Sequence, residues 1–432
     1  LYTIFILNSS IFYIYAQEVN TEITSQDTQQ DTSLDDPLSL IAETAVLIDA
    51  KTGIVLYDKD MNKKMYPAST TKILTALIAL ENSNPKDIIK HSHNAVYNIG
   101  PGSSNMGMKE NEEIAMKDAL YGVILKSANE VCMAIAEHIS GDVDSFVNIM
   151  NERVKKIGAN NTHFANPHGY HDENHYTTSY DMALIMKEAI KNEEFIKLIS
   201  TKNYTVPKTN LSDEKLLTTS NKLILESSPF YYENCVGGKT GFTDQAGNTL
   251  VSYSKKDGIE LIAVVMKSKG TEIYNDSKKL FEYGFNLHSE KSIFEKSNFK
   301  VTIPVEQIFK DKSISLGNVD LLAKNDVSLN LPNNIDLNKI EEKINLESTL
   351  IAPIKAGDTV GSIDLMYENN ILASVDIVSD SEVNIIPEKK LERKEKIKKL
   401  MLLFIKIILG LLILIFIIII AGFISRTYFK HK

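Results

Sequence analysis

Tyr66-Pro-Ala-Ser-Thr-Thr-Lys-Ile73 places a serine and a lysine three positions apart at the predicted start of a helix. Residues 72–81 are apolar at helical spacing, and Pro67 suits a helix start because its missing N–H would be unpaired there anyway. Residues three apart share a helical face, so Ser69 and Lys72 should be in contact. A serine needs a base to become a nucleophile, and lysine can serve if burial lowers its pKa.

This spacing alone is a weak signal, because it recurs at Ser212–Lys215, Ser252–Lys255 and Ser297–Lys300. None of these three pairs directly precedes an apolar helical pattern. We therefore interpret them as surface polar residues, and the assignment of Ser69 depends on further motifs in the chain.

A second motif, Ser127-Ala-Asn129, follows a predicted break near Lys126 in the helical pattern of residues 113–137. Such a break can direct a hydroxyl and an amide into a cleft. Ser103-Ser-Asn105 has the same form but follows Pro101-Gly102, so it is interpreted as a loop. As a lone tripeptide, either motif is more often structural than functional.

A third motif, Lys239-Thr-Gly241, lies between Gly237-Gly238 and Phe242-Thr243. At a strand edge, this composition suits backbone pairing with an extended peptide, and the lysine offers a cation to a carboxylate. Lys51-Thr-Gly53 matches the same pattern, but it lies at a predicted hairpin turn before any candidate nucleophile. We interpret it as a turn.

In this order, the three motifs are the signature of class A β-lactamases and penicillin-binding proteins. Their flanking residues resemble the D-alanyl-D-alanine carboxypeptidases, which are penicillin-binding proteins of low molecular mass. The resemblance covers about residues 42–285 and is carried by four segments: Tyr66–Ile73, Leu125–Asn129, Thr162–Gly169 and Gly238–Thr243. It departs from the family at Ala128, where related enzymes often have Gly or Asp. We expect this change to tune the site, because Ser127 and Asn129 remain.

The resemblance implies that Ser69 attacks the penultimate D-Ala of a stem peptide and that Lys72 accepts its proton. Three further catalytic groups are implied: Ser127 as a proton relay, Asn129 as an orienting group and Lys239 as an electrostatic group for the carboxylate and the proton relay. The implied substrate-binding residues are Thr240, Gly241, Phe242 and Thr243. Backbone N–H groups of Ser69 and Phe242 would form the oxyanion hole. The implied partners are a stem peptide ending in D-Ala-D-Ala and β-lactam inhibitors, with no cofactor and no metal.

Strands flanking a helical region predict an α+β catalytic domain, and the resemblance implies an antiparallel sheet with flanking helices of the β-lactamase/transpeptidase type. Beyond residue 298, short β runs separated by turns predict a small all-β domain. The expected boundaries are a signal peptide at 1–16, a flexible lead-in at 17–36, the catalytic domain at 37–297, the all-β domain at 298–384, a basic amphipathic juxtamembrane segment at 385–406, a transmembrane helix at 407–424 and a basic tail at 425–432.

Both ends of the chain have membrane-directed patterns. Residues 2–15 are mostly apolar and are followed by Ala16, which predicts a secretory signal cleaved after Ala16. This signal begins at Leu1 without a basic segment, so we expect it to be shortened. Residues 407–424 form an unbroken apolar run of the length needed to cross a bilayer. The sequence therefore predicts an exported catalytic domain tethered to the extracytoplasmic face of the cytoplasmic membrane.

Composition excludes several other classes. The 432 residues carry 56 acidic and 47 basic side chains, for a net charge of −9, which argues against a nucleic-acid partner. Two cysteines exclude a disulfide scaffold; a Cys132–Cys235 bridge stays open but is disfavoured, with Cys235 expected near the surface. The histidines between 163 and 175 do not follow a zinc-protease pattern, so no metal site is predicted.

Three alternatives to a carboxypeptidase remain at this point. A class A β-lactamase would need a deacylating Glu followed by Leu-Asn, which Glu193-Glu194-Phe195 does not provide. A D,D-endopeptidase of peptidoglycan cross-links resembles this chain more closely but usually lacks the β domain and tether. A β-lactam-binding sensor or scaffold without turnover is disfavoured because Ser69, Lys72 and Lys239 are all intact.

Overall fold

The computed structural model describes residues 36–429, with side chains as far as residue 422. The expected signal peptide at 1–16 and nearly all of the lead-in at 17–36 lie outside the described residues. Residues 36–39 form a turn in which the backbone N–H of Leu38 donates to the Asp36 carboxylate over 3.0 Å. The remaining described residues are grouped as one compact unit.

A five-stranded antiparallel sheet, in the order β2-β1-β9-β8-β7, forms the frame of the first domain. The strands from this region are β1 (Thr44–Asp49), β2 (Val55–Lys59), β3 (Ile88–Lys90), β4 (Glu113–Ala115), β5 (Asn203–Val206), β6 (Lys215–Thr218), β7 (Cys235–Thr243), β8 (Gly247–Lys256) and β9 (Ile259–Ser268). β3 pairs with β4 and β5 with β6, outside the main sheet. Because β7 is an edge strand, one side of its backbone is directed away from the sheet.

Helices cover both faces of this sheet. They are α1 (Lys72–Asn82), α2 (His93–Tyr97), α3 (Met116–Leu125), α4 (Asn129–Ser140), α5 (Val143–Ile157), α6 (Ser179–Ala189), α7 (Glu193–Ser200) and α8 (Glu272–Phe285). Side chains alternate along β1: Val46 and Ile48 join the core with α1 and α6, whereas Leu47 lies against Gly284 of α8. The expected α+β architecture, with an antiparallel sheet and flanking helices, is confirmed.

Three local predictions need correction. The amphipathic pattern of residues 181–199 predicts one helix, but the chain turns at residues 190–192 and begins a new helix, α7. Asn192 caps α7 by accepting from the N–H of Glu194 (2.9 Å). Cys235 lies in β7 and is buried rather than near the surface. Within the described residues, Cys132 and Cys235 are both unpaired. Ser252, expected at the surface, is fully buried in β8.

The second domain is a separate β structure. Its strands are β10 (His288–Phe294), β11 (Lys300–Phe309), β12 (Lys312–Ala323), β13 (Val327–Pro332), β14 (Ile340–Leu346), β15 (Leu350–Ile351), β16 (Thr359–Tyr367) and β17 (Asn370–Ser379). Six of them form the sheet β14-β16-β17-β12-β11-β15, and β10 pairs with β13. This pairing supports a boundary just before His288, ahead of the expected position at residue 298. The small all-β domain is confirmed.

A buried polar contact and an apolar contact join the two domains. The His288 ring donates from Nδ1 to the carbonyl of Gly284 (2.8 Å) and lies with Nε2 at 3.2 Å from the Asp49 carboxylate. Next to it, Ile54 packs against the buried Leu331 and Tyr367 of the β domain. These contacts fix the β domain on the side of the sheet that carries β1 and β2, whereas β7 lies at the opposite edge.

The described chain ends in one long helix, α9 (Glu388–Phe429). Its most apolar 18-residue window has a mean hydropathy of 3.4, so its length and composition suffice to cross a membrane. The start of α9 is held by the β domain: the buried Gln307 side chain accepts from the N–H of Ile386 (2.8 Å) and donates to its carbonyl (3.0 Å). Leu391, in the first turns of α9, is buried as well.

Candidate active site

Ser69 lies on a short 3₁₀ turn, Ala68–Thr71, directly before α1. Ala68 has a φ of +48°, an unusual backbone conformation for a residue with a side chain. Gly169 packs against this turn so closely that a Cβ there would lie 1.9 Å from the carbonyl oxygen of Ala68. The tertiary structure, and not local preference, therefore holds the turn that presents Ser69.

Lys72, the first residue of α1, has its amine within hydrogen-bonding distance of Ser69. The Nζ atom lies 3.0 Å from the Ser69 hydroxyl and also donates to the Asn129 side-chain oxygen (2.7 Å) and to the carbonyl of His168 (2.5 Å). Lys72 is 0% exposed. Burial lowers its pKa to about 8, an effect that the buried Glu130 partly offsets. About a tenth of Lys72 is therefore neutral at pH 7, far more than for an exposed lysine.

Ser127 and Asn129 lie at the predicted break, which the structure places between α3 and α4. Ser127 has a φ of +59°, and its buried Oγ has no hydrogen-bond partner among residues 36–429. Ala128 has a φ of −65°, so alanine fits there without backbone strain. Asn129 begins α4 and donates from its side-chain nitrogen to the Ser103 hydroxyl (3.0 Å). Ser127 thus presents a hydroxyl that is free to bond with a ligand.

The loop at Ser103-Ser104-Asn105, interpreted from sequence as an ordinary loop, forms one rim of this cleft. The N–H of Asn129 donates to the carbonyl of Ser104 (2.8 Å), and the Glu130 carboxylate accepts from the N–H of Met106 (2.7 Å). Burial raises the pKa of Glu130. These bonds fasten the rim to the start of α4 and so fix the position of Asn129.

Lys239 and Thr240 lie on the edge strand β7. Lys239 is 1% exposed and its Nζ donates to the carbonyl of Thr240 (2.8 Å). Burial, and secondly the charge of Lys72, hold the pKa of Lys239 well below its usual range. The Thr240 hydroxyl lies 2.8 Å from that of Ser220, so two hydroxyls stand together at this end of the cleft.

Gly241 brings β7 against the turn that carries Ser69. A Cβ at this position would lie 2.9 Å from the backbone nitrogen of Ser69 and 2.4 Å from the Thr249 hydroxyl. A side chain here would force the strand and the turn apart. Phe242 follows with a 60% exposed ring at the cleft surface, and Thr243 ends the strand.

The histidine-rich segment packs behind the nucleophile. His175 accepts at Nδ1 from the N–H of Ala165 (3.0 Å), so the proton of its neutral ring is on Nε2. This Nε2 donates to the Thr71 hydroxyl (2.8 Å). The Thr71 hydroxyl in turn donates to the carbonyl of Ala68 (2.8 Å). Burial lowers the pKa of His175 to about 3, so the ring is neutral. Within residues 36–429, no three His, Cys, Asp or Glu side chains are placed to hold a metal ion.

Two hollows meet at Ser69. The first, which we call the Lys222 hollow, has a volume of about 620 Å³; residues that define it are Lys126, Ser127, Ser220, Lys222 and Thr240. The second, the Asp244 hollow, has a volume of about 380 Å³; residues that define it are Tyr170, His171, Phe242, Asp244 and Gln245. An extended peptide could therefore lie along β7 with one bond at Ser69.

The structure brings together the predicted Ser69, Lys72, Ser127, Asn129, Lys239 and Thr240–Thr243. It adds groups that sequence reasoning did not assign to the site: Ser103, Ser220, Glu130, the carbonyl of His168, and His175. Only the first of these carried a signal, because Ser103-Ser-Asn105 matches the second motif. His168 contributes a backbone carbonyl, and the other three contribute side-chain contacts that the tertiary fold sets. Neither kind of contact leaves a pattern of spacing in the chain.

Comparison with known proteins gives two family matches along the chain. The family model described as D-alanyl-D-alanine carboxypeptidase matches residues 28–270. The model described as the C-terminal domain of penicillin-binding protein 5 matches residues 288–384. The first match covers the α+β domain up to the residue range just before α8, and the second begins at β10.

Individual relatives span both domains. D-alanyl-D-alanine carboxypeptidase DacF of Bacillus subtilis is 30% identical over 349 residues, covering 79% of this chain and 86% of the relative. D-alanyl-D-alanine carboxypeptidase DacC of Escherichia coli is 32% identical over 338 residues, covering 76% and 80%. Among solved structures, penicillin binding protein 5 from Haemophilus influenzae has a TM-score of 0.56 and 30% identity, covering 80% of this chain and 98% of that one.

Proposed function

Because the chain belongs to the D-alanyl-D-alanine carboxypeptidase family, we propose that it removes the terminal D-Ala from peptidoglycan stem pentapeptides through an acyl-enzyme on Ser69. The observation that carries this proposal is the fully buried Lys72 amine, 3.0 Å from the Ser69 hydroxyl. Its lowered pKa makes a neutral amine available as a general base beside the nucleophile.

In the first step, the Ser69 oxygen forms a bond to the carbonyl carbon of the penultimate D-Ala while its proton passes to Lys72. Backbone N–H groups of Ser69 and Phe242 stabilise the negative oxygen of the tetrahedral intermediate. The close approach of Gly241 to the Ser69 nitrogen supports this pairing of N–H groups from two segments. A single donor of this kind is worth about 3 kcal/mol in the transition state.

In the second step, the carbon–nitrogen bond breaks and the terminal D-Ala leaves as an amine. The departing nitrogen takes a proton through the Ser127 hydroxyl, which is buried and has no partner within the described part of the chain. Lys72 gives Ser127 the proton that it took from Ser69, with the charge of Lys239 assisting this relay, so Lys72 is neutral again. Water then attacks the ester with Lys72 as base, and release of the shortened peptide restores Ser69.

The terminal carboxylate of the substrate binds at the Lys239 end of the cleft. Thr240 and the adjacent Ser220 offer hydroxyl donors there, and Lys239 offers a cation. The carboxylate itself raises the pKa of Lys239 when it binds, because an opposite charge favours the protonated amine. β-Lactams resemble the D-Ala-D-Ala end, so they acylate Ser69 at the same site and leave slowly.

The proposal is tested by incubating the full chain, in detergent, with a pentapeptide ending in D-Ala-D-Ala. We expect release of free D-Ala, and no release from the same peptide ending in D-Ala-L-Ala, because the inverted residue cannot direct its carboxylate to Thr240. Stable labelling of Ser69 by a fluorescent penicillin without D-Ala release would contradict the proposal and favour an endopeptidase, sensor or scaffold.

We further propose that α9 tethers the enzyme to the cytoplasmic membrane, with the catalytic domain on the extracytoplasmic face. The apolar part of α9 is long enough to cross a bilayer, which supports the tether. The hydrogen bonds between Gln307 and Ile386 connect the start of α9 to the β domain, which supports it as well. Basic residues precede the apolar part, among them Lys394, Lys396, Lys398 and Lys399, and these suit an anionic lipid surface.

For the tether, we expect the full chain to stay with membranes during carbonate extraction and to dissolve in detergent. A chain ending at residue 384 should be soluble, and the catalytic domain of the full chain should be cleaved by protease added outside spheroplasts. Recovery of the full chain in the soluble fraction, or its protection from the external protease, would overturn the proposed location.

A further inference from the structure

The two hollows that meet at Ser69 have opposite charge. Lys126 and Lys222 are the charged residues that line the Lys222 hollow, and neither has an acidic neighbour in that lining. Among the described residues that line the Asp244 hollow, Asp244 is the only Asp, Glu, Lys or Arg. A ligand lying across Ser69 therefore meets cations at one end and an anion at the other.

The direction of β7 determines which part of a peptide reaches each end; this step rests on the proposed function. A peptide whose terminal carboxylate lies at Thr240, and which pairs antiparallel with β7, passes Phe242 and continues past Thr243 toward its own N-terminus. Each residue advances by about 3.3 Å along a strand. The residue just before the acylated D-Ala then lies beside Thr243 and Asp244.

Asp244 is not needed to build the turn in which it lies. The turn between β7 and β8 is closed by the Thr243 hydroxyl, which accepts from the N–H of Ala246 (3.1 Å). Asp244 is exposed, and no hydrogen bond or ion pair of its carboxylate is found within residues 36–429. A carboxylate that lines a substrate cleft and serves no fold contact is available for a ligand.

We propose that Asp244 selects stem peptides whose residue before the acylated D-Ala carries a side chain with a free amine. A diamino acid at that position extends a flexible aliphatic side chain with a terminal ammonium. The ammonium pairs with Asp244, while the apolar stem lies along the exposed ring of Phe242. Peptides in which the amine is acylated, as in cross-linked wall material, lose this ion pair.

The test uses the full chain in detergent and two pentapeptides, L-Ala-γ-D-Glu-L-Lys-D-Ala-D-Ala and the same peptide with Nε-acetyl-lysine. We expect kcat/KM for D-Ala release to be about fivefold higher with the free amine, which is the upper end for a solvent-exposed ion pair. The preference should lie mainly in KM and should shrink as salt is raised, because salt screens exposed charges.

The variant Asp244→Asn is expected to lose the preference while keeping its activity on the acetylated peptide. Asp213→Asn is the matched control, because Asp213 is an exposed carboxylate in the loop before β6, outside the cleft lining. It should keep the preference. Equal kcat/KM of the wild type for both peptides, or a preference retained in Asp244→Asn, would overturn the inference. Absence of D-Ala release from both peptides would instead overturn the proposed function, and the inference with it.

Discussion

Replacement of Ser69 by alanine is expected to lower D-Ala release by a factor on the order of 10⁴ or more, the scale on which hydrolases lose activity without their serine nucleophile. The variant lacks the oxygen that forms the acyl bond. The fold should persist, because within the described residues the substitution removes one hydrogen bond of the Ser69 hydroxyl, the bond with Lys72. Release of D-Ala and covalent labelling by a fluorescent penicillin should both disappear.

A matched control for this variant is Ser297→Ala. Ser297 also precedes a lysine by three positions, but both it and Lys300 are exposed in the β domain. The control should release D-Ala and bind penicillin like the wild type. Undiminished D-Ala release by Ser69→Ala would show that another group is the nucleophile.

Replacement of Lys72 by methionine is the second large effect. The side chain keeps its approximate length but loses the amine, so acylation of Ser69 should slow by about 10²–10⁴-fold, the usual contribution of a general base. Stability should not fall in proportion, because the substitution removes a group that is costly to charge when buried. Stopped-flow measurement of acylation by a chromogenic β-lactam gives the rate directly.

The pH dependence of acylation gives an independent test of Lys72. Burial favours the neutral amine and lowers its pKa to about 8, so the neutral fraction is about a tenth at pH 7 and rises with pH. The acylation rate of the wild type should therefore rise from pH 6, reach half its maximum near pH 8 and level off above about pH 9. The residual rate of Lys72→Met should lack this rise.

The control for Lys72 is Lys300→Met, which removes an exposed lysine that pairs with Asp320 (2.7 Å). Its acylation rate and pH profile should match those of the wild type. If Lys72→Met acylates at the normal rate, or keeps the rise between pH 6 and 8, Lys72 is not the general base.

The architecture of the first domain could be predicted from local patterns. The apolar run after Lys72 became α1, and the break predicted near Lys126 became the gap between α3 and α4. Each depends on neighbouring residues, whose periodicity and turn preferences act over short distances. The split between α6 and α7 was missed because the helical pattern continues across a turn that Asn192 caps.

The β domain was harder to predict in detail. The short β runs predicted beyond residue 298 do not include β12 or β14, although the all-β character is confirmed. β14 is mostly exposed and lies at one edge of its sheet, so it lacks the apolar alternation that marks a half-buried strand. β10 pairs with β13 across more than thirty intervening residues, and such pairing leaves no local signal.

By itself, the sequence determined which chemical groups the protein carries and in what order: a serine and lysine before an apolar helix, a Ser-Ala-Asn break, a Lys-Thr-Gly edge and an apolar helix of membrane-spanning length. It could not determine the state of those groups. The Lys72 amine is held by a side chain 57 positions away and a carbonyl 96 positions away, and its pKa falls because the folded chain buries it. The opposite charges at the two ends of the cleft also arise only when β7, the α3–α4 break and the segment at Lys222 are packed together. Burial and electrostatics depend on distances through space, which only the tertiary structure sets.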